Sequence, residues 1–381
     1  NTAIGRNALR LNVNGDDNTA VGTYALDQNL ESDNVAVGYA AATSNTTGTR
    51  NTALGYSALY TNVDGDHNVA VGYEALYTFE ADTDGHGLNT AVGYEAAKGL
   101  STATHTVAIG AYALDAASGT GDSNTALGYS SLGKDTSGNN NTAVGRGAMA
   151  NNTVGDHNVA IGRDALLTNI DGDSSVAIGS YALYTQEPAS NISMSNVAVG
   201  TSAGYAVTTG TRNTLVGSSA GDNITEGQDN IAIGFHALSA VTDADNSIAI
   251  GTYAASASTA VIVAIGRSAA SANTTGTGNT AIGHNALNTN VDGDNNTAIG
   301  YQSLFTMEPA DGTSGNTAVG YQSGYAINTG LYNTVIGASA GDALTTGDNN
   351  IIIGYNAAAS AVGVDNEITL GDANISAFRC N

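Results

Sequence analysis

Three stretches of the 381-residue sequence read Gly-x-Ser-x-Gly, centred on Ser202, Ser219 and Ser339. In a hydrolase that pattern lifts a nucleophilic serine on a sharp strand-to-helix turn. Here the glycines belong to a short unit that recurs along the whole chain. Related units place Tyr24, Glu74 or Asn285 where the serine falls, and no helical pattern follows. The match therefore belongs to the repeat and not to catalysis.

Carboxylates are the next candidates. Asp-Gly-Asp turns stand at Asp64 and Asp66, Asp171 and Asp173, and Asp292 and Asp294. Such groups suit Ca²⁺, which takes oxygen ligands, and stacking or symmetry could gather several of them. Asp-Gly is equally the signature of a tight turn, and no complete calcium-loop motif is present. One unit after each turn comes an enlarged unit with Tyr77, Phe79 and Glu80, with Tyr184 and Glu187, or with Phe305 and Glu308. Insertions in a repeat array go to its outer surface, so these residues are the expected partner-contacting protrusions. Six histidines are scattered without zinc spacing. Tyr39, Tyr56, Tyr73 and Tyr94 follow the repeat glycine in four consecutive units. They should form an aromatic row, able to steady neighbouring units or to stack on sugar rings.

Composition narrows the classes. Ten basic residues against 34 acidic ones give a net charge of -24, which repels nucleic acid. The single cysteine, Cys380, excludes a disulfide framework within one chain. No apolar run reaches the roughly 18 to 20 residues of a membrane span. Forty-nine Gly, four Phe and no Trp leave little material for a thick core.

The element that must carry all these residues is one short coil. Asn-Thr-Ala-(Val/Ile)-Gly recurs 22 times, from Gly5 to Gly371, and 15 of the 21 intervals between its glycines are 17 residues. The five residues ending at each glycine alternate between two faces. The fourth is Val, Ile or Leu in all 22 units, and burial is expected for it. The third is Ala in 18 units, so the opposite face should let another backbone approach closely. A second short strand is expected after the glycine, as at residues 56–59, then a turn such as residues 61–66. Asn opens 17 of the 22 units, and identical amides one coil apart can form a ladder. The fold class is thus all-β, a parallel β-solenoid of about 22 coils over residues 1–365, with a terminal coil and junction at 366–381. So small a coil buries little apolar surface alone, and association of several chains, preferably three, is expected.

The Asn-Thr-Ala-Val-Gly-Tyr units resemble the head repeats of trimeric autotransporter adhesins and, more closely, the 17-residue versions in bacteriophage tail fibres. The resemblance covers essentially the whole chain and implies a homotrimer of left-handed β-rolls. Residues 366–381 are similar to the stretch that precedes an endosialidase-type intramolecular chaperone in phage fibres and spikes. That chaperone is absent from the sequence, so none of its catalytic residues carry over, and the chain is expected to be a piece of something longer. The implied function is a non-enzymatic virion fibre or spike shaft that attaches to a host surface, as glycan or protein, through its enlarged loops. A bacterial surface adhesin head is the alternative, and a polysaccharide depolymerase a third reading. No cofactor is expected beyond calcium at the Asp-Gly-Asp turns, and neither nucleic acid nor membrane insertion is expected.

Overall fold

A computed structural model describes residues 1–81, 87–116, 119–188, 190, 192–309 and 312–377. Ala189, Ala310 and Cys380 lie outside the described residues. The chain divides into two compact units, Asn1–Ser195 and Asn196–Asn381.

The first unit is a parallel β-solenoid with eleven three-residue strands, from Thr2–Ile4 to Val176–Ile178. Each strand pairs in parallel with its counterpart one coil on: Thr2 meets Thr19, Ala3 meets Ala20 and Ile4 meets Val21. Val159 meets Val176 at the other end of the unit. The second unit repeats the design with eleven strands, from Val197–Val199 to Ile368–Leu370. Its pairing runs from Val197 against Thr214 to Ile351 against Ile368, so the 366–381 segment contributes an in-register strand. Among the described residues there is no helix, and none therefore long and apolar enough to cross a membrane.

Strand alternation is obeyed, but with the faces exchanged relative to the sequence expectation. The first and third residues point inward: Asn34, Asn51 and Asn68 are buried, as are Ala36, Ala53 and Ala70. The second and fourth point outward, and Val37, Ile109 and Leu127 are each more than a third exposed. The cause is the bore of the coil. Beside the methyl group and the carboxamide of each strand it already holds one large side chain per coil, such as Leu59 or Leu76, and the aliphatics of the second and fourth positions stay outside. Where the third residue is larger, the coil gives way elsewhere. Leu215 fills the place that leucine takes in other coils, and a Cβ at Gly221 would stand 2.7 Å from its Cδ2. Val335 and Gly341 make the same exchange, with 3.0 Å to Val335 Cγ1.

The buried amides are satisfied by a ladder. The backbone N–H of Asn51 donates to Asn34 Oδ1 at 2.9 Å, and that of Asn68 to Asn51 Oδ1 at 2.9 Å. Each side-chain NH₂ then reaches a turn carbonyl of the next coil, as Asn51 Nδ2 does to Gly65 O at 2.7 Å. A second ladder runs through the turns: Asn45 donates to Asn29 Oδ1 and Asn62 to Asn45 Oδ1. Buried polar groups without partners would cost about 1–3 kcal/mol each, so the ladders are what permit asparagine inside.

The corner glycine is required by geometry. Gly72 has φ +138°, and a Cβ there would lie 2.1 Å from the carbonyl oxygen of Gly93 in the next coil. The expected second strand is absent. After the corner, every second residue has positive φ, as at Ser57 (51°) and Leu59 (53°). This alternation aims successive N–H groups at opposite neighbours: Ser57 donates to Tyr39 O in the preceding coil, and Leu59 to Ala75 O in the following one. Left-handed φ costs a leucine about 1 kcal/mol. Complete burial of Leu59 offsets it, since a buried leucine contributes about 1.5–3 kcal/mol.

Candidate functional site

The structure separates the sequence-selected residues into three groups. The serines of the Gly-x-Ser-x-Gly stretches hold the positive-φ position after the corner, with Ser219 at 53° and Ser339 at 54°. In the Ser219 and Ser339 stretches the second glycines, Gly221 and Gly341, make room for Leu215 and Val335, so there the motif is a packing device.

The acidic turns split by role. Asp66 Oδ1 accepts from Thr49 Oγ1 at 2.9 Å, and Asp294 Oδ1 from Thr277 Oγ1 at 3.0 Å. Asp173 Oδ1 accepts from the N–H of Asp156 at 2.7 Å. These three carboxylates therefore tie one coil to the preceding one. Asp64, Asp171 and Asp292 each keep one buried carboxylate oxygen without a partner. Each of them faces the glutamate of the following enlarged coil. Glu80 Oε2 accepts from the N–H of Val63 at 2.8 Å, Glu187 Oε2 from Ile170 at 2.7 Å, and Glu308 Oε2 from Val291 at 2.7 Å. Burial pushes the Glu80 carboxyl up to about 7, with Asp64 adding to the rise against the Val63 hydrogen bond. Glu187 and Glu308 are raised in the same way, chiefly by burial. As a calcium site the arrangement fits poorly. Ca²⁺ takes six to eight oxygens, whereas each turn offers one pair, and no group of three or more ligating side chains occurs among the described residues.

The enlarged coils also correct one expected contact. Phe79 is completely buried, with its ring over Gly65, where a Cβ would lie 2.7 Å from Phe79 Cε1. It is a core residue, because it falls 17 residues after Asn62 and so inherits an inward position. Pro188 packs over Gly172 and Pro309 over Gly293 in the related turns. Tyr77, Tyr184 and Phe305 remain half-exposed at the surface.

Tyr77 belongs to a feature that the sequence only half disclosed. Tyr39, Tyr56, Tyr73 and Tyr94 do form a row, with centroids 5.1, 5.3 and 5.1 Å apart and planes within 12°. A second row, Tyr60 on Tyr77, stacks at 5.0 Å and 4°. Between the rows lies a groove of about 390 Å³, floored by Ala40 and Ser57, flanked by Thr43 and closed at one end by Tyr24. Because the rings stack on one another, the faces between neighbouring rings are covered, and along each row the groove meets ring edges. Sugar stacking along the row is thereby prevented, although each stacked pair contributes about 0.5–1.5 kcal/mol. One coil further, Glu74 occupies the floor position and binds Lys98 Nζ at 2.7 Å. The Tyr73 hydroxyl is hydrogen-bonded to Glu74, which holds that phenol's pKa above its ordinary value. The second unit carries a shorter version of the paired rows, with Tyr301 on Tyr321 at 5.3 Å and Phe305 on Tyr325 at 5.3 Å. The overlooked signal was an aromatic five residues after the glycine in successive coils: Tyr60 and Tyr77, then Phe305 and Tyr325.

No known family model and no curated protein matches the chain.

Proposed function

We propose that the chain is the shaft of a virion fibre or spike, working as a homotrimer and attaching to a host surface without breaking any bond. The observation that carries this reading is the outward aliphatic face. Val69 and Val71 are half-exposed on their strand, and Val107 and Ile109, two coils further, repeat the pattern. A lone chain would leave this stripe in water, and each Å² of it withdrawn contributes about 25 cal/mol. Cyclic association gives every chain the same buried stripe. The resemblance of the repeats and of residues 366–381 to phage fibre sequences supports a virion over a bacterial envelope.

Attachment falls to the exposed parts of the enlarged coils, with Tyr77, Tyr184 and Phe305 as contacts and Glu80, Glu187 and Glu308 holding their loops to the coil before. Three chains multiply a weak contact into a firm one. Immunogold labelling of purified virions with an antibody to this chain tests the reading. Label along a fibre or spike is expected, and label confined to a bacterial envelope would replace the proposal with a surface adhesin.

A further inference from the structure

The groove between the two tyrosine stacks has features that packing alone does not require. Tyr39 and Tyr56 are each 48% exposed, so the rows leave about half of their ring surface unburied. The floor is small and recessed at Ala40 and Ser57, both buried, while the walls rise on either side. Glu74 and Glu95, at the same coil position as Ser57, share the single Lys98, so the coils beyond the end opposite Tyr24 keep a net negative charge.

The chemistry of this surface selects its ligand. A polyanion is opposed by the chain's net charge of -24 and finds no basic side chain in the lining. A quaternary ammonium is held by several open aromatic faces at once, and the inner faces of both rows are used up in stacking at 5.0–5.3 Å. A wholly apolar segment would strand the phenol hydroxyls and Thr43. What remains is an extended neutral molecule that alternates C–H and O–H groups. The stacked rings advance by one coil at a time, with centroids 5.1 Å apart from Tyr39 to Tyr56 and 5.0 Å apart from Tyr60 to Tyr77, so a ligand with a similar repeat meets like groups at each step. Tyrosine serves this role well because it offers a polar tip on a rigid body at small entropic cost.

We propose that the groove bounded by Tyr39, Tyr56, Tyr60 and Tyr77 binds a short stretch of a neutral linear oligosaccharide, edge-on, through the phenol hydroxyls. The inference rests on the attachment reading and names the ligand class for it.

The test is an array of neutral and acidic oligosaccharides probed with the full purified chain. Two variants accompany the wild type. Tyr56→Phe/Tyr60→Phe/Tyr77→Phe keeps every ring and removes three hydroxyls. Ser57→Glu fills the floor with the residue that the next coil already carries at the same backbone angle, φ 51° at both Ser57 and Glu74. Neutral linear oligosaccharides are expected to bind, acidic ones to fail, and each variant to weaken binding at least about tenfold. Circular dichroism of both variants, unchanged from wild type, confirms that the fold is kept. Absence of binding to any neutral oligosaccharide, or full binding by folded Ser57→Glu, overturns the inference. Fibre labelling of virions with no oligosaccharide bound would leave the shaft reading standing and the groove assignment refuted. Oligosaccharide binding without virion label would do the reverse.

Discussion

The carboxamide oxygen of Asn62 is buried without a hydrogen-bond donor because Phe79 stands where the next rung of the turn ladder would be. Asn290 is left in the same state, with Met307 one coil on. The remaining enlarged coil, that of Tyr184, solves the problem differently: Gln186 Nε2 donates to Asn169 Oδ1 at 3.2 Å. Two of the three enlarged coils thus exchange a polar rung for apolar volume.

That exchange can be measured at Phe79. Phe79→Ala should destabilise by about 3–5 kcal/mol, the usual cost of emptying a buried phenylalanine site. Phe79→Gln, which copies Gln186, should cost about 1–2 kcal/mol less than Phe79→Ala, since it supplies the donor that Asn62 lacks. Urea unfolding of both variants compares the two.

Gly72→Ala should be worse than an ordinary glycine replacement, whose scale is about 1 kcal/mol. The added Cβ meets the carbonyl of Gly93 at 2.1 Å, and φ is +138°. Backbone cannot yield as a side chain can. Hydrogen exchange should show lost protection in the coils on both sides of Gly72, and retained protection there would refute the steric account.

Asp135 occupies a turn-ladder position as a carboxylate. It is 2% exposed, accepts from Asn152 Nδ2 at 2.8 Å and Asn124 Nδ2 at 3.1 Å, and burial pushes its pKa up to about 7. A folded pKa above the unfolded value means stability that is complete at low pH and lost as pH rises through about 7. A carboxyl held at about 7 in place of its ordinary range corresponds to about 4 kcal/mol. Asp135→Asn should therefore raise stability by about 2–4 kcal/mol at pH 8 and change little near pH 3. Thermal melts across pH decide it.

The repeat made the solenoid legible because one 17-residue period forces equivalent residues to stack. Side-chain direction was not legible in the same way. Val37 and Ile109 look like core residues by hydrophobicity alone, and only the narrow bore sends them outward and takes Ala36 and Ala108 in. The positive φ at Ser57 and Leu59 leaves no mark either, since neither residue type favours it. At the candidate site, the Tyr39 to Tyr94 row could be read from spacing. Tyr60 and Tyr77 were legible by spacing as a row but not as a second wall, because their place opposite the first depends on the unforeseen ribbon after the corner.

Glu80 should titrate near neutrality, because its carboxyl is raised to about 7. The sign is that of Asp135: the protonated form favours the fold, and its contribution disappears as pH rises through about 7. Glu80→Gln should flatten the fall in melting temperature between about pH 4.5 and 7. Adding Ca²⁺ or a chelator should leave the wild-type curve unmoved, since a carboxylate pair is too few ligands. A calcium-dependent rise in melting temperature would restore the metal reading of the Asp-Gly-Asp turns.

Ile109→Asp places a charge on the outer face without entering the bore. It should dissociate the oligomer to single chains in light scattering while leaving circular dichroism unchanged. A monomeric wild type, or an oligomer indifferent to the substitution, would reject the trimer.

The asparagine ladder has an evolutionary consequence. Asn51 is bonded to Asn34 and Asn68 to Asn51, each over a separation of 17 residues, and neither bond refers to any place further along the chain. Removing one such period inside a unit brings together two coils that already carry matching rungs. Recombination between neighbouring repeats in the gene can then shorten or lengthen the protein in whole steps, with no compensating substitutions. Reach becomes a trait that selection adjusts by copy number.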